Sequence, residues 1–399
     1  MVEQIIMSSG SHTLNGFNFD HIVPQSGADF KEQVRSCIEQ LQMFIHQEDD
    51  LRLYVTQQTF FITARTREQY EERSAYMWDQ LKTLCGPGLP ATSIVAQSPA
   101  GDMDVVLELI CTRKVDHKKV TYKSYLDVDY TVIEYQGYKC VHCAGLMGDA
   151  GDSITEASEK AFEMALQILG QEGLTLRNII RQWNYIENIA VVAGKEDGSQ
   201  NYQDFNDVRA RYYDRFNFDN GYPAATGIGQ DTGGVIISFI ALSPSDIIKV
   251  KPIANPGQVD AHKYSKVVLQ GSKAQKCTPK FERAKLVSIG PRNYIYVSGT
   301  ASILGEKTVH SGDAEKQTMT TVENIKRLFS RENQDKLGLD FDVSRILFSH
   351  LRVYVKERKD IPVVKKVCDR ELNCKSSLYL ISDVCRENLL VEIEGVFTV

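Results

Sequence analysis

The chain is 399 residues long, enough for two or three domains with a buried core in each. Its 46 Lys and Arg against 52 Asp and Glu leave a net charge of −6, and no block of like charges occurs, which argues against nucleic acid as a partner. No apolar run reaches the ~18 residues of a membrane span and Met1–Gly10 lacks a signal-peptide pattern, so a cytoplasmic protein without membrane contact is expected, its nine scattered cysteines reduced.

Along the chain, an amphipathic helix over 30–45 (FKEQVRSCIEQLQMFI) is followed by an aromatic-rich strand over 51–63, and a second helix over 69–85 leads to the segment LPATSIVAQ at 89–97. The strand VVLELICT at 105–112 closes the set. The same order returns as a helix over 154–169, a strand over 176–189, a helix over 202–216, YPAATGIGQ at 222–230 and the strand GVIISFIAL at 234–242. Pro90 and Pro223 lie 133 positions apart, a third of the chain, so a third copy is expected. It follows as a helix over 314–329, a strand over 343–356, a helix over 360–372, the weaker match KSSLYLISDVC at 375–385 and LLVEIEGVF at 389–397. The later two copies also open with hairpin-like stretches, at 129–145 and 292–305.

These elements define three units, each one sheet with two helices on one face, an α+β sandwich. The boundaries expected are 1–115, truncated for want of the opening hairpin, then 116–243 and 281–399. Residues 244–280, with Pro244, Pro252, Pro256 and Pro279, read as a surface linker. Cys140 and Cys143 form a lone CxxC inside an alternating strand and read as half-buried thiols. In the last strand, period-two alternation puts Glu392 and Glu394 on one face, Val391 and Ile393 on the other.

The repeated unit resembles the RidA/YjgF fold, a chorismate mutase-like α+β sandwich whose members are homotrimers with ligand sites between subunits. Three units in one chain then imply an internal pseudo-trimer and a monomer. The stretches WNYI (183–186), FNDVR (205–209), YPAATGIG (222–229), NPGQVDAHKY (255–264), VSGTASILG (297–305), HSGD (310–313) and CRENLLVEIEG (385–395) together resemble the chorismatases. That resemblance implies chorismate as substrate and hydrolysis of its enolpyruvyl ether to pyruvate plus a hydroxybenzoate or a dihydroxycyclohexadiene carboxylate. It places the general acid on Glu392, and aligning the closing strands sets Glu108 and Ser238 opposite it.

For the substrate, Arg209 of FNDVR falls on the Arg of the chorismatase FNxxR pattern. Arg352 and Tyr354 share a strand face, Tyr185 holds the equivalent strand position one unit earlier, and Gly299, Thr300 and Ala301 offer a small-residue floor. Cys385, with a glycine, is associated in that family with 3-hydroxybenzoate release. Vinyl ether hydrolysis needs acid and water, so neither metal nor organic cofactor is expected. The alternatives are a RidA-like imine deaminase, whose Arg after Pro-Ala is replaced here by Thr92 and Ala225, and a non-catalytic ligand-binding pseudo-trimer.

Overall fold

The computed structural model describes residues 17–25, 27–46, 53–85, 88–192, 198–269, 276–342 and 346–398; the reading of Met1–Gly10 falls outside them. The first sheet is built from β1 (Phe17–Ile22), β2 (Leu53–Ile62), β3 (Ala91–Val95) and β4 (Val105–Arg113), with α1 (Phe30–His46) and α2 (Arg67–Cys85) between them in the chain. Its order is β1-β4-β2-β3, with only β2 and β3 parallel.

The second sheet comprises β5 (Lys119–Tyr125), β6 (Val128–Tyr135), β7 (Tyr138–Met147), β8 (Ile179–Glu187), β9 (Ala224–Gln230) and β10 (Val235–Leu242), with α3 (Ile154–Gln171) and α4 (Asn201–Tyr213). The third comprises β11 (Ile248–Ile253), β12 (Ala284–Ile289), β13 (Arg292–Ala301), β16 (Phe348–Val355), β17 (Ser377–Ile381) and β18 (Val391–Thr398); a small ribbon of β14 (Ile303–Leu304) and β15 (Lys307–Thr308) and the helices α5 (Ala314–Leu328), α6 (Arg331–Leu337) and α7 (Ile361–Glu371) lie between its strands in the chain. Their orders, β5-β6-β7-β10-β8-β9 and β11-β12-β13-β18-β16-β17, repeat the four-strand pattern of the first sheet and add two strands at one edge.

Local chemistry accounts for the element ends. Ser153 and Glu156 form a reciprocal capping box at the start of α3, and Asp313 accepts from the Lys316 amide at the start of α5. The β6–β7 hairpin turns through Gln136 and Gly137, both at positive φ, as a two-residue loop requires.

The linker expected over 244–280 is corrected in part: Ile248–Ile253 is a strand, paired with β12 at the edge of the third sheet. Pro252 sits within it, which only an edge strand tolerates, because a missing amide there removes no ladder bond. In the expected truncated unit, β1 supplies a single strand where the other sheets have three.

One face of each later sheet packs on its own helices. Val141, Ile237 and Phe239 meet Phe162 and Phe205 of α3 and α4, while Val353, Val391 and Ile393 meet Val322, Ile325 and Val364 of α5 and α7. The opposite faces join a larger core with the first sheet, holding Phe61, Trp183, Tyr185, Ile236, Tyr296 and Tyr354. Neighbouring sheets meet edge to face: β3 lies against β7, β9 against β13 and β1 against β16. The Ala225 amide donates to Ser298 Oγ at 2.9 Å, and the Ile381 amide to Ser98 O at 2.8 Å, across two of these seams.

Polar groups on those shared faces must find partners from other sheets. Arg352 donates from Nε to Glu108 Oε1 at 2.7 Å, from Nη2 to Glu108 Oε2, and from Nη1 to Tyr185 Oη at 2.8 Å. His350 Nε2 lies 2.5 Å from Glu108 Oε1. Burial alone would raise the Glu108 carboxyl, but Arg352 and His350 outweigh it and hold the group well below the usual carboxylate range.

Glu108→Gln should therefore cost about 3–5 kcal/mol in denaturant unfolding, because it leaves the Arg352 charge buried and half-paired. The depressed carboxyl contributes stability that is complete above the unfolded pKa of ~4.3 and is lost as pH falls through the folded value. The variant should show a correspondingly weaker acid-side loss.

Candidate active site

The site begins at an irregularity in β13. Its pairing with β18 shifts between Val297 and Thr300, so two residues of β13 bulge where Gly299 lies. A Cβ at Gly299 would collide with Oε1 of Glu392, and glycine there lets the carboxyl lie directly on the backbone. Glu392 projects from β18 into an open-mouthed cavity of about 690 Å³, solvent at its mouth included. The walls come from β9 through Ala225 and Gly227, from α4 through Tyr202 and Asn206, and from the segments flanking the third sheet.

The two carboxylates of β18 share a face but not a fate. Glu394 is 3 % exposed and accepts from Arg181 Nη2 at 2.5 Å, from Trp183 Nε1 at 2.8 Å and from Thr226 Oγ1, with Arg352 Nη1 3.2 Å away. Glu392 is 5 % exposed and has no hydrogen-bond or ion-pair partner among the described residues. Burial, then the nearby Glu394 charge, push its carboxyl up to about 8, against the opposing pull of Arg181 and Arg283. At neutral pH it is a carboxylic acid facing a cavity.

Two arginines face it. Arg283 donates from Nη2 to Val259 O at 2.5 Å and to Tyr264 Oη at 2.6 Å, and its buried Nε has no partner. Arg386 donates from Nη1 to Glu306 O at 2.9 Å. Among the described residues neither has a carboxylate within ion-pair distance, so the cavity carries uncompensated positive charge suited to an anionic ligand. Cys385 lies in the same wall; burial, then the Glu392 carboxyl, push its thiol up to about 12, so it is uncharged.

Of the residues expected from the sequence, Glu392, Cys385, Gly299 and Ala301 meet at this cavity. The others do not line it. Thr300 turns its hydroxyl to Ser298 O at 2.8 Å. Arg209 is 1 % exposed, packed near Phe205 and Phe281, and donates to Asn206 Oδ1 at 2.5 Å, so it orients a wall residue. Tyr185, Arg352 and Tyr354 belong to the buried cluster around Glu108 and Glu394.

The strand alignment is corrected as well. Glu108 pairs with Thr59 and Ser238 with Trp183, and those partners pair in turn with Ser93 and Thr226, each three residues past its proline. Leu146 of CAGLM faces Ile237 as Thr300 of VSGTA faces Ile393. Glu108 and Ser238 thus correspond to Glu394, and Ile236 to Glu392, one pleat repeat away.

Sequence reasoning passed over Arg283, Arg386, Tyr202 and Tyr264. Tyr264 and Arg386 stood inside quoted family stretches, NPGQVDAHKY and CRENLLVEIEG, and Tyr202 one turn before FNDVR. Arg283 lies in no such stretch and left no signal.

Residues 117–241 match a family model described as chorismatase FkbO/Hyg5-like, N-terminal. The chain is 34% identical over 261 residues to a 3-hydroxybenzoate synthase of Streptomyces hygroscopicus, covering 64% of this chain and 72% of that protein. It is 35% identical over 223 residues to a chorismatase of Streptomyces rapamycinicus, covering 55% and 64%. In fold it is similar to a crystal structure of a chorismatase, with a TM-score of 0.68 at 23% identity over 97% of this chain and all of that one. By identity and coverage, the chain belongs to the chorismatase family.

Proposed function

We propose that this protein hydrolyses the enolpyruvyl ether of chorismate, releasing pyruvate and 3-hydroxybenzoate, with Glu392 as general acid. The observation that carries the reading is the buried carboxyl of Glu392, without a hydrogen-bond or ion-pair partner among the described residues, in a cavity whose arginines have no carboxylate within ion-pair distance among those residues. The names of the relatives, a 3-hydroxybenzoate synthase and a chorismatase, give the substrate class and favour this product.

The chemistry follows from the groups present. Glu392 delivers its proton to the methylene carbon of the enol ether, and the cation that forms at the adjacent carbon faces the carboxylate left behind. Water adds to that carbon, and the hemiketal collapses to pyruvate and the ring alcohol. Loss of water from the ring then makes it aromatic, so the two products together contain the atoms of chorismate. Arg283 and Arg386 are placed to hold the substrate's two carboxylates, Asn206, oriented by Arg209, lies beside them, and the uncharged Cys385 thiol and the Gly299 floor border the ring.

We further infer that residues 1–115, 116–243 and 281–399 are three RidA-like units around a pseudo-threefold axis in a monomer, with one working cleft. The repeated strand order and the three edge-to-face seams support this, and the third unit takes in β11 from the expected linker. At the seam of the first two units, Ile236 stands where Glu392 stands in the working cleft. No described helix is long and apolar enough to cross a membrane, and we place the enzyme in the cytoplasm. No cofactor enters the scheme.

Three predictions follow from the site. Glu392→Gln keeps shape but removes the proton, so kcat should fall by roughly 10²-fold or more with KM little changed. In the wild type the acid form must be present, so kcat should hold on the acid side and decline as pH rises through about 8. A rate that rises through that range would contradict the assignment. Arg283→Ala and Arg386→Ala should each raise KM by about 10- to 100-fold, the loss of a charged hydrogen bond to the substrate; unchanged KM in both would place the carboxylates elsewhere.

A further inference from the structure

Glu394 has no route to the cavity, yet it sits two residues from Glu392 on the same strand face, about 6–7 Å along β18. Its carboxylate is clamped: Arg181, Trp183 and Thr226 all donate to it inside the protein. The two arginines of the cluster are not equally shared. Arg352 spends its bidentate fork on Glu108 and reaches Glu394 only at 3.2 Å, leaving Arg181 as the close cation of Glu394. Thr226 ties the clamp to the cavity floor, because its hydroxyl also accepts from Arg181 Nη2 at 2.7 Å and from the Gly299 amide at 3.1 Å. Gly299 is the residue on which the Glu392 carboxyl rests.

We propose that Glu394 is a positioning residue for the acid step: its locked negative charge keeps the proton on Glu392, while Arg181 limits how strongly the proton is held. This deepens the reading of Glu392 as general acid and rests on it. The direction is consistent with the electrostatics, in which Glu394 raises the Glu392 carboxyl and Arg181 and Arg283 lower it. The other groups facing Glu392 are Arg386 and Cys385 from the segment before β18, Tyr202 from α4, Tyr264 from the segment over the cavity, and Tyr354 opposite it on β16. Burial pushes the Cys385 thiol and the Tyr202 and Tyr354 hydroxyls up, so they stay uncharged through the working range. Glu394 is then the only anion among the described residues that acts on Glu392, with the arginines opposed.

The test compares wild type, Glu394→Gln, Glu394→Asp and Arg181→Met by two readouts. One is the pH dependence of kcat with chorismate. The other is infrared titration of the protonated-carboxyl band that is absent in Glu392→Gln, which needs no substrate. In Glu394→Gln the midpoint of both should move down by about one pH unit or more. Glu394→Asp should restore the midpoint, and Arg181→Met should move it up. A Glu394→Gln midpoint equal to wild type, with the rate lowered uniformly at every pH, would overturn the proposal. If that variant does not fold, Arg181→Met decides, and an unmoved midpoint there overturns it. Shifted infrared midpoints without chorismate turnover would uphold the coupling and refute the assigned reaction.

Discussion

Two arginines buried where the sheets meet, Arg181 and Arg352, set the terms for the rest of this molecule. Each comes from the strand next to the edge of one sheet and bonds a carboxylate of another: Arg352 of the third sheet holds Glu108 of the first, and Arg181 of the second holds Glu394 of the third. A charge taken out of water is tolerated only when it is paired and hydrogen-bonded. The three sheets must therefore arrive in one mutual arrangement, or several charges are stranded at once. That demand also fixes the seam between β9 and β13, and the cavity with Glu392 lies along that seam.

The contrast between Glu392 and Glu394 arises from this frame. Both are buried and both come from one short strand, yet among the described residues the donors reach only one of them. Glu394 is clamped by Arg181, Trp183 and Thr226, while burial without such a clamp pushes the Glu392 carboxyl up to about 8. The bulge at Gly299 sharpens the difference, since it opens backbone-level space for the unpaired carboxyl and for nothing larger than a hydrogen on the opposing residue. Two groups of equal chemistry meet different environments, which is how a protein obtains an acid at neutral pH.

Much of this was legible in the sequence because it repeats. Each long helix with an apolar stripe and each closing strand was recovered at its place, since amphipathic periodicity survives without knowledge of partners. The short α6, the edge strand β5 with its exposed polar face, and β11 with its internal proline were missed. They carry little apolar pattern, and an edge strand is defined by a neighbour the sequence does not reveal. Family resemblance and alternation pointed to Glu392, and its carboxyl lines the cavity. Its counterparts on the other two closing strands were displaced by one pleat, because alternation fixes which residues share a face but not how far one strand slides against another, which only the pairing with neighbouring strands sets. The cavity's arginines escaped for a related reason: Arg283 and Arg386 come from segments 103 positions apart that converge only in the folded chain.

The central claim is the reaction itself, and product analysis tests it most directly. Purified protein is incubated with chorismate, pyruvate is followed through lactate dehydrogenase, and the aromatic product is resolved by chromatography. The account predicts pyruvate and 3-hydroxybenzoate in equal amounts from the wild type. Absence of pyruvate, or release of ammonia from an imino acid in its place, would contradict it.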